Sequence, residues 1–351
     1  MARTPHEASP QTDEERSPLD RLKRRFVYGL VFGVLVVIGV TLLGDGPALI
    51  RTLRTFDWWV VPPIILLTLV NYALRFAKWH LYLQWLDIGR LRPRTSLGIF
   101  LAGLSMAITP GKLGEFLKSY LLRRATSTPL SVSAPAVFAE RVTDGISMLV
   151  LAALGLVSVR YGWQVLAILA VLALAGILML QSRSLMFRIF TRLEHLPIIN
   201  RRMHALHVLY ENTYLLFRPG KLGIAVGIGM VSWFGECAAF FLILIGLGFE
   251  PTLKLLVIST FIMATASLLG AVSMLPGGLG AAEAGVAGLL LLIVRDPRMT
   301  SDLAAAATLL VRFATLWLGV LVGTGALLVI ERHLTRLEES RPAADAAQTA
   351  S

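Results

Sequence analysis

Residues 109–122 read TPGKLGEFLKSYLL, and residues 275–284 read LPGGLGAAEA. Each stretch holds a Pro-Gly-x-Leu-Gly pentad, Pro110 to Gly114 in one and Pro276 to Gly280 in the other, 166 residues apart. Proline removes a helix donor and glycine admits left-handed backbone, so each pentad breaks a helix that reaches it. Apolar arms flank both, Leu97 to Leu122 around the first and Leu255 to Val294 around the second. A break inside so apolar a run needs neighbouring helices or a polar cavity to satisfy its freed backbone groups. The pentads therefore predict two broken helices inside a larger bundle, with Pro110, Gly111, Gly114, Pro276, Gly277, Gly278 and Gly280 as turn and hinge positions.

Composition sets the medium of that bundle. The chain of 351 residues is 56% hydrophobic, only 16% charged, and carries a net charge of +11. A soluble domain is about a quarter charged, so this one has too few charges to coat a water-facing surface. It reads as an all-α, polytopic transmembrane bundle. The apolar stretches are Phe26 to Leu43, Trp58 to Leu86, Leu97 to Leu122, Ala134 to Val159, Tyr161 to Ser182, Leu222 to Phe249, Leu255 to Val294 and Leu303 to Ile330. Residues 1–25 are polar and without apolar periodicity, which predicts a disordered start. Phe26 to Leu43 lacks a small-x-small cleavage site after it and reads as an uncleaved anchor. The transmembrane domain then covers 26–330, and 331–351 is expected to be a loose tail. The polar insert 183–221 spaces its arginines among apolar residues, as in one or two amphipathic helices on a membrane surface.

Loop charge orients the chain. With the N-terminus in the cytoplasm, 22 of the 33 Lys and Arg lie in cytoplasmic loops and termini, 6 in outer loops and 5 in apolar segments. Segment 97–122 has Arg90, Arg92 and Arg94 before it and Lys118, Arg123 and Arg124 after it, so both ends favour the cytoplasm. It is expected to enter and leave on one face as a re-entrant hairpin. Three crossings then separate the opening span of a first unit, about 58–159, from that of a second, about 222–330. An odd number inverts the second unit. Two inverted repeats, each with a broken or re-entrant helix pair, form a carrier's site reachable from either side. The competing reading is a duplicated bundle that merely shares helix-packing glycines.

Charge in hydrocarbon costs upward of about 2.5 kcal/mol per group, so each intramembrane charge needs a partner or a use. Lys112, Glu115 and Lys118 follow one another at three-residue intervals, which permits contacts along a helix. Glu140, Arg141 and Asp144 open the next span, and Glu236, Glu283 and Arg312 lie in the second half. Arg75 and Lys78 are expected to snorkel from the inner end of their span. A helix restarting after each pentad turns its N–H groups and positive dipole end inward, which favours an anion. Lys112, Glu115, Arg141 and Arg312 are the candidate contacts to a phosphate-bearing lipid headgroup, with Glu140, Asp144 and Glu283 as counter-ions. The bland alternative is that Glu115 and Glu283 already neutralise these helix starts by pairing with Lys112 and Arg141.

Other chemistries find little support. Cys237 is the only cysteine, which excludes a disulfide framework and a cysteine-rich metal site. No histidine sits in a zinc-protease pattern; His204 and His207 read as surface residues of the insert, so no metal and no cofactor is expected. Paired acids at Glu140 and Asp144 would suit a membrane-embedded hydrolase, but the intervening Arg141 favours an ion-pair network, and no enzyme activity is expected. There is no nucleotide-binding loop. Nucleic acid is not an expected partner, because membrane orientation accounts for most of the positive charge.

Four stretches, RFAKWHLYLQW (75–85), TPGKLGEFLKSYLL (109–122), FAERVTD (138–144) and LPGGLGAAEA (275–284), together resemble the flippase-like membrane domain of the lysylphosphatidylglycerol synthase family, the multi-pass part of bacterial multiple peptide resistance factors. The resemblance runs from about residue 30 to 335. It implies an all-helical inner-membrane bundle that moves an anionic or modified lipid between leaflets; the loop charges, separately, put both termini in the cytoplasm. The family's soluble synthase domain is not expected after residue 330, so lysine transfer is not carried over. Lys112 and Lys118 stand where arginine is expected, which keeps charge but weakens bidentate phosphate recognition. The alternative is a non-transporting subunit that scaffolds or presents lipid to a separate glycosyl- or acyltransferase.

Overall fold

The computed structural model describes residue 31 and residues 46–88, 91–109, 114–155, 163–194 and 203–349. The start expected to be disordered, the anchor beyond Val31, and Pro110, Gly111 and Lys112 lie outside these. All regular structure among the described residues is helical. In chain order the helices are α1 (Gly46–Thr55), α2 (Trp58–Trp85), α3 (Pro93–Leu104), α4 (Leu117–Thr126), α5 (Leu130–Gly155), α6 (Trp163–Gln181), α7 (Arg183–Glu194), α8 (Met203–Leu216), α9 (Pro219–Gly246), α10 (Leu253–Val272), α11 (Ala281–Ile293), α12 (Ser301–Arg312) and α13 (Leu318–Thr349). A π turn, Phe313–Trp317, joins the last two.

Local chemistry places the boundaries. Pro93 and Pro219 occupy first-turn positions, where a missing N–H costs nothing. Thr252 and Thr300 cap α10 and α12 through their side-chain oxygens, which accept from the Leu255 and Leu303 N–H groups. Five segments among the described residues are long and apolar enough to cross a membrane: Trp58–Trp85, Pro219–Gly246, Leu253–Val272, Pro276–Ile293 and Ser301–Arg336. Helix α5 is also long enough, at 26 residues, but carries Glu140, Arg141 and Asp144 within it.

Both expected breaks occur. After α3 the backbone tightens into a 3₁₀ turn, Ser105–Ile108, and resumes regular helix at Leu117. In the second half α10 ends at Val272, and Pro276–Gly278 forms a turn before α11. The two turns touch, with the Cβ that Gly277 lacks pointing 3.3 Å from the Ile108 Cα.

Two apolar cores form. One gathers Phe240, Ile243, Phe261, Ile262 and Leu290, and the other Trp79, Tyr82, Phe100, Leu121 and Phe217. Helices α2 and α9 cross between them. At the crossing the Asn71 side chain donates to the Ser232 carbonyl at 2.9 Å, and the Ser232 hydroxyl donates to the Asn71 carbonyl at 3.2 Å. Packing then runs across the halves: α3 lies on α13, and α10 lies on α5. Large apolar side chains such as Leu172, Leu321 and Val329 face outward, as lipid contact requires.

Two expectations change. The insert does contain two helices, α7 and α8, but α8 buries Tyr210, Thr213 and Leu216 and packs on α5 instead of lying wholly on a surface. The tail expected to be loose continues as helix through Thr349, for which its alanines have the highest propensity.

The second turn depends on glycine. Gly278 has φ +66°, and a Cβ there would lie 2.9 Å from the Gly270 Cα. Backbone strain and a backbone clash then coincide. Gly278→Ala is expected to destabilise the protein by roughly 1–3 kcal/mol or more, read as a lower thermal midpoint in detergent. Gly288→Ala, with open space around it, is expected to leave the midpoint unchanged or slightly raised.

Candidate functional site

Helix α5 places Glu140, Arg141 and Asp144 within about one turn, and the charges of three further segments converge on them. Glu140 accepts from Arg75 Nη2 on α2 at 3.1 Å, Lys118 Nζ on α4 at 2.5 Å and Arg141 Nη2 at 2.6 Å. Asp144 pairs with Lys78 on α2 and with Arg141 Nη2 at 3.2 Å. Glu115, beside the first break, lies 3.2 Å from Arg141 Nε and 3.9 Å from Lys118 Nζ. Four cations and three carboxylates thus form one buried network. Glu140, at 0% exposure, sits at its centre.

Aromatic rings insulate the network. Lys118 Nζ lies 5.0 Å from the Trp79 ring centre and 5.5 Å from that of Phe100, while Arg75 lies 6.0 Å from Trp233. Ring faces attract cations, and these pairs add to the ionic contacts in a medium with little water. Tyr82 and Thr143 share a hydroxyl–hydroxyl hydrogen bond of 2.9 Å beside Lys78. No charge here could stand alone, because an unpaired buried ion costs far more than a pair.

The second break carries a smaller device. Arg312 Nε at the end of α12 lies 2.6 Å from Glu283 Oε1, and Glu283 Oε2 accepts from the Gly280 N–H at 2.6 Å. The carboxylate therefore caps α11, the helix that restarts after the turn, and holds the arginine.

Between these groups lies a cavity of about 90 Å³, lined among others by Arg75, Glu115, Arg141, Glu236, Gly277 and Arg312. It has room for several waters or one compact anionic group. Arg75 Nε and Arg312 Nη2 are buried donors with no hydrogen-bond acceptor among the described residues. The chemistry on offer is electrostatic: guanidinium groups from three helices reach one small space whose lining is otherwise largely apolar, with Leu104, Met148 and Met263 in it. No group of three or more His, Cys, Asp or Glu suited to a metal ion occurs among the described residues.

Of the sequence-derived contacts, Glu115, Arg141 and Arg312 meet at this cavity, with Glu140 and Asp144 behind Arg141 and Glu283 behind Arg312. Gly277 lines the cavity, Pro276, Gly278 and Gly280 shape the turn beside it, and the Gly114 N–H donates to Thr109 Oγ1 at 2.8 Å. Lys112 lies outside the described residues. Glu283 pairs with Arg312 and not with Arg141, because α11 packs directly on α12. Arg75 and Lys78 do not snorkel: they are 8% and 1% exposed and point into the network. A sequence signal for this existed, since Arg75 stands ten residues inside its span and Asn71, Tyr72 and Trp79 share its face.

The sequence pattern of the lysylphosphatidylglycerol synthase TM region matches residues 29–323, which takes in both breaks and every charge of the network. The chain belongs to this family. Among relatives, a UPF0104 membrane protein of Methanothermobacter thermautotrophicus is 24% identical over 325 residues, covering 87% of this chain and 93% of its own. A second from the same organism is 25% identical over 326 residues, covering 84% and 94%. A UPF0104 membrane protein of Methanocaldococcus jannaschii is 24% identical over 243 residues, covering 66% and 95%. No solved structure matches. Membership in the lysylphosphatidylglycerol synthase TM family makes this an integral multi-pass membrane protein, in agreement with its helices.

Glu140→Gln leaves Arg75, Lys118 and Arg141 without their shared carboxylate. It is expected to destabilise the protein by about 3–5 kcal/mol, the range for breaking a buried pair from one side. Thermal unfolding in detergent checks this. Glu211→Gln, which breaks the exposed pair with Arg183, is expected to cost no more than about 1 kcal/mol in the same assay.

Proposed function

We propose that this protein moves an anionic or modified phospholipid between the leaflets of the plasma membrane, with the phosphate of the headgroup held in the cavity by Arg75, Arg141 and Arg312. Glu115 orients Arg141, Lys112 adds positive charge at the first break, and Glu140, Asp144 and Glu283 are the counter-ions. The observation that carries this reading is the convergence of three guanidinium groups, from α2, α5 and α12, on one small space where the two helix breaks meet. Arginine matches phosphate oxygens with paired donors, and a low-dielectric setting strengthens each contact.

The reading extends to topology. Helices α3 and α10 each precede a break, and each packs on a helix of the opposite half. That reciprocal packing supports two inverted repeats around the α2–α9 crossing, with the first break re-entrant and both termini cytoplasmic. We further read the protein as a carrier without chemistry of its own: the acids are engaged with cations, and binding and release need no covalent step. Its partners on this reading are membrane lipids.

Leaflet exchange of fluorescent phosphatidylglycerol in proteoliposomes tests the function. Wild type is expected to exceed empty vesicles, and Arg141→Ala and Arg312→Gln to lose most of that excess, at least about tenfold for a charge-assisted contact. Transport unchanged by both substitutions would remove the site. For topology, single cysteines in 87–92 and 127–129 on a Cys237→Ser background are expected to be labelled from the same side; labelling from opposite sides would abolish the hairpin.

A further inference from the structure

Arg312 is followed immediately by the π turn Phe313–Trp317, in which the Leu318 N–H bonds to the Phe313 carbonyl five residues back. Such turns are rare and occur mostly singly, often at functional sites. Each fits one extra residue into a helix. Reverting to regular α-helix would turn the preceding segment by about 100° about the axis, taking Arg312 away from Glu283 and the cavity. A wide turn at this place therefore needs something to hold it.

Tyr72 of α2 supplies that hold. Its hydroxyl donates to the Thr315 carbonyl, in the middle of the π turn, at 2.7 Å in a buried setting. The Thr315 hydroxyl donates back to the Val311 carbonyl, also at 2.7 Å. Room for the tyrosine exists because residue 319 is glycine: a Cβ there would stand 2.8 Å from the Tyr72 hydroxyl oxygen. Tyr72, Thr315, Gly319 and Arg312 all line the same cavity. One turn beyond Tyr72 on α2 stands Arg75, so one helix carries both a cavity arginine and the group that fixes the turn beside another.

We propose that Tyr72 is a positioning residue for Arg312: its hydroxyl pins the π turn, and the pinned turn aims the guanidinium into the cavity. The inference rests on the reading of that cavity as the headgroup site, and it predicts that the Tyr72 hydroxyl sets affinity through the turn and not by a hydrogen bond of its own to the lipid.

The test uses the full chain in detergent and titrates dioleoyl phosphatidylglycerol into wild type, Tyr72→Phe, Gly319→Ala and the double variant. Each single change is expected to weaken binding about fivefold, the worth of one hydrogen bond. The double variant is expected to bind no more weakly than either single one, because both changes break the same contact. Additive losses in the double variant, or wild-type binding by Tyr72→Phe where Arg312→Gln binds poorly, would overturn the proposal. Amide hydrogen exchange across 313–319 provides a readout independent of lipid. It is expected to quicken in Tyr72→Phe and Gly319→Ala while the α11 amides stay protected. If wild type retains no phosphatidylglycerol, the headgroup reading fails by itself, and unchanged exchange across 313–319 in Tyr72→Phe overturns the pin.

Discussion

A single carboxylate, Glu140, accepts hydrogen bonds from three cations on three different helices while fully buried. Without it, four cations would share only Glu115 and Asp144, leaving an excess of positive charge in a membrane interior, where each unpaired charge is costly. The arrangement adds little net stability, since desolvation offsets most of the attraction. What it adds is register. Helices α2 and α4 both reach the Glu140 carboxylate on α5 only in one relative position, and that position leaves the remaining faces of Arg75 and Arg141 turned toward the cavity.

The rest of the site follows from that constraint through contact. The first break closes against the network by Glu115 and Lys118, and the second turn rests on the first at Ile108 and Gly277. Behind the second turn, Glu283 caps α11 and holds Arg312. A shift of either turn must therefore be felt by the arginine on the opposite side. Close packing transmits such shifts because the neighbours have no free volume to absorb them.

Most of this site could be read in the sequence, and the remainder could not for identifiable reasons. The breaks at Pro276 to Gly280 and beside Gly114, the apolar spans, and the acids Glu115, Glu140, Asp144 and Glu283 were legible, because glycine-proline punctuation and rare intramembrane charges are local signals. Partner choice was not. Whether Arg75 and Lys78 reach water or a carboxylate depends on which helix crosses beside α2, and Glu283 had two arginines to choose between until α11 was placed on α12. The π turn is held by a bond between residues 243 positions apart, which no local pattern announces. Helix α8 looked like a surface element because its apolar residues could face lipid or α5 equally well.

The two breaks are alike in sequence but not in what surrounds them. Among the described residues, seven charged side chains gather in the network beside the first, while the second carries the Glu283–Arg312 pair. In a carrier whose halves exchange roles, such inequality gives the two facing states different free energies. A gap of a few kcal/mol leaves the minor state at about 0.1–10%. On the carrier reading proposed above, the unloaded protein would then rest toward one leaflet, and lipid from that leaflet would load faster. The net direction of movement would still follow the lipid gradient.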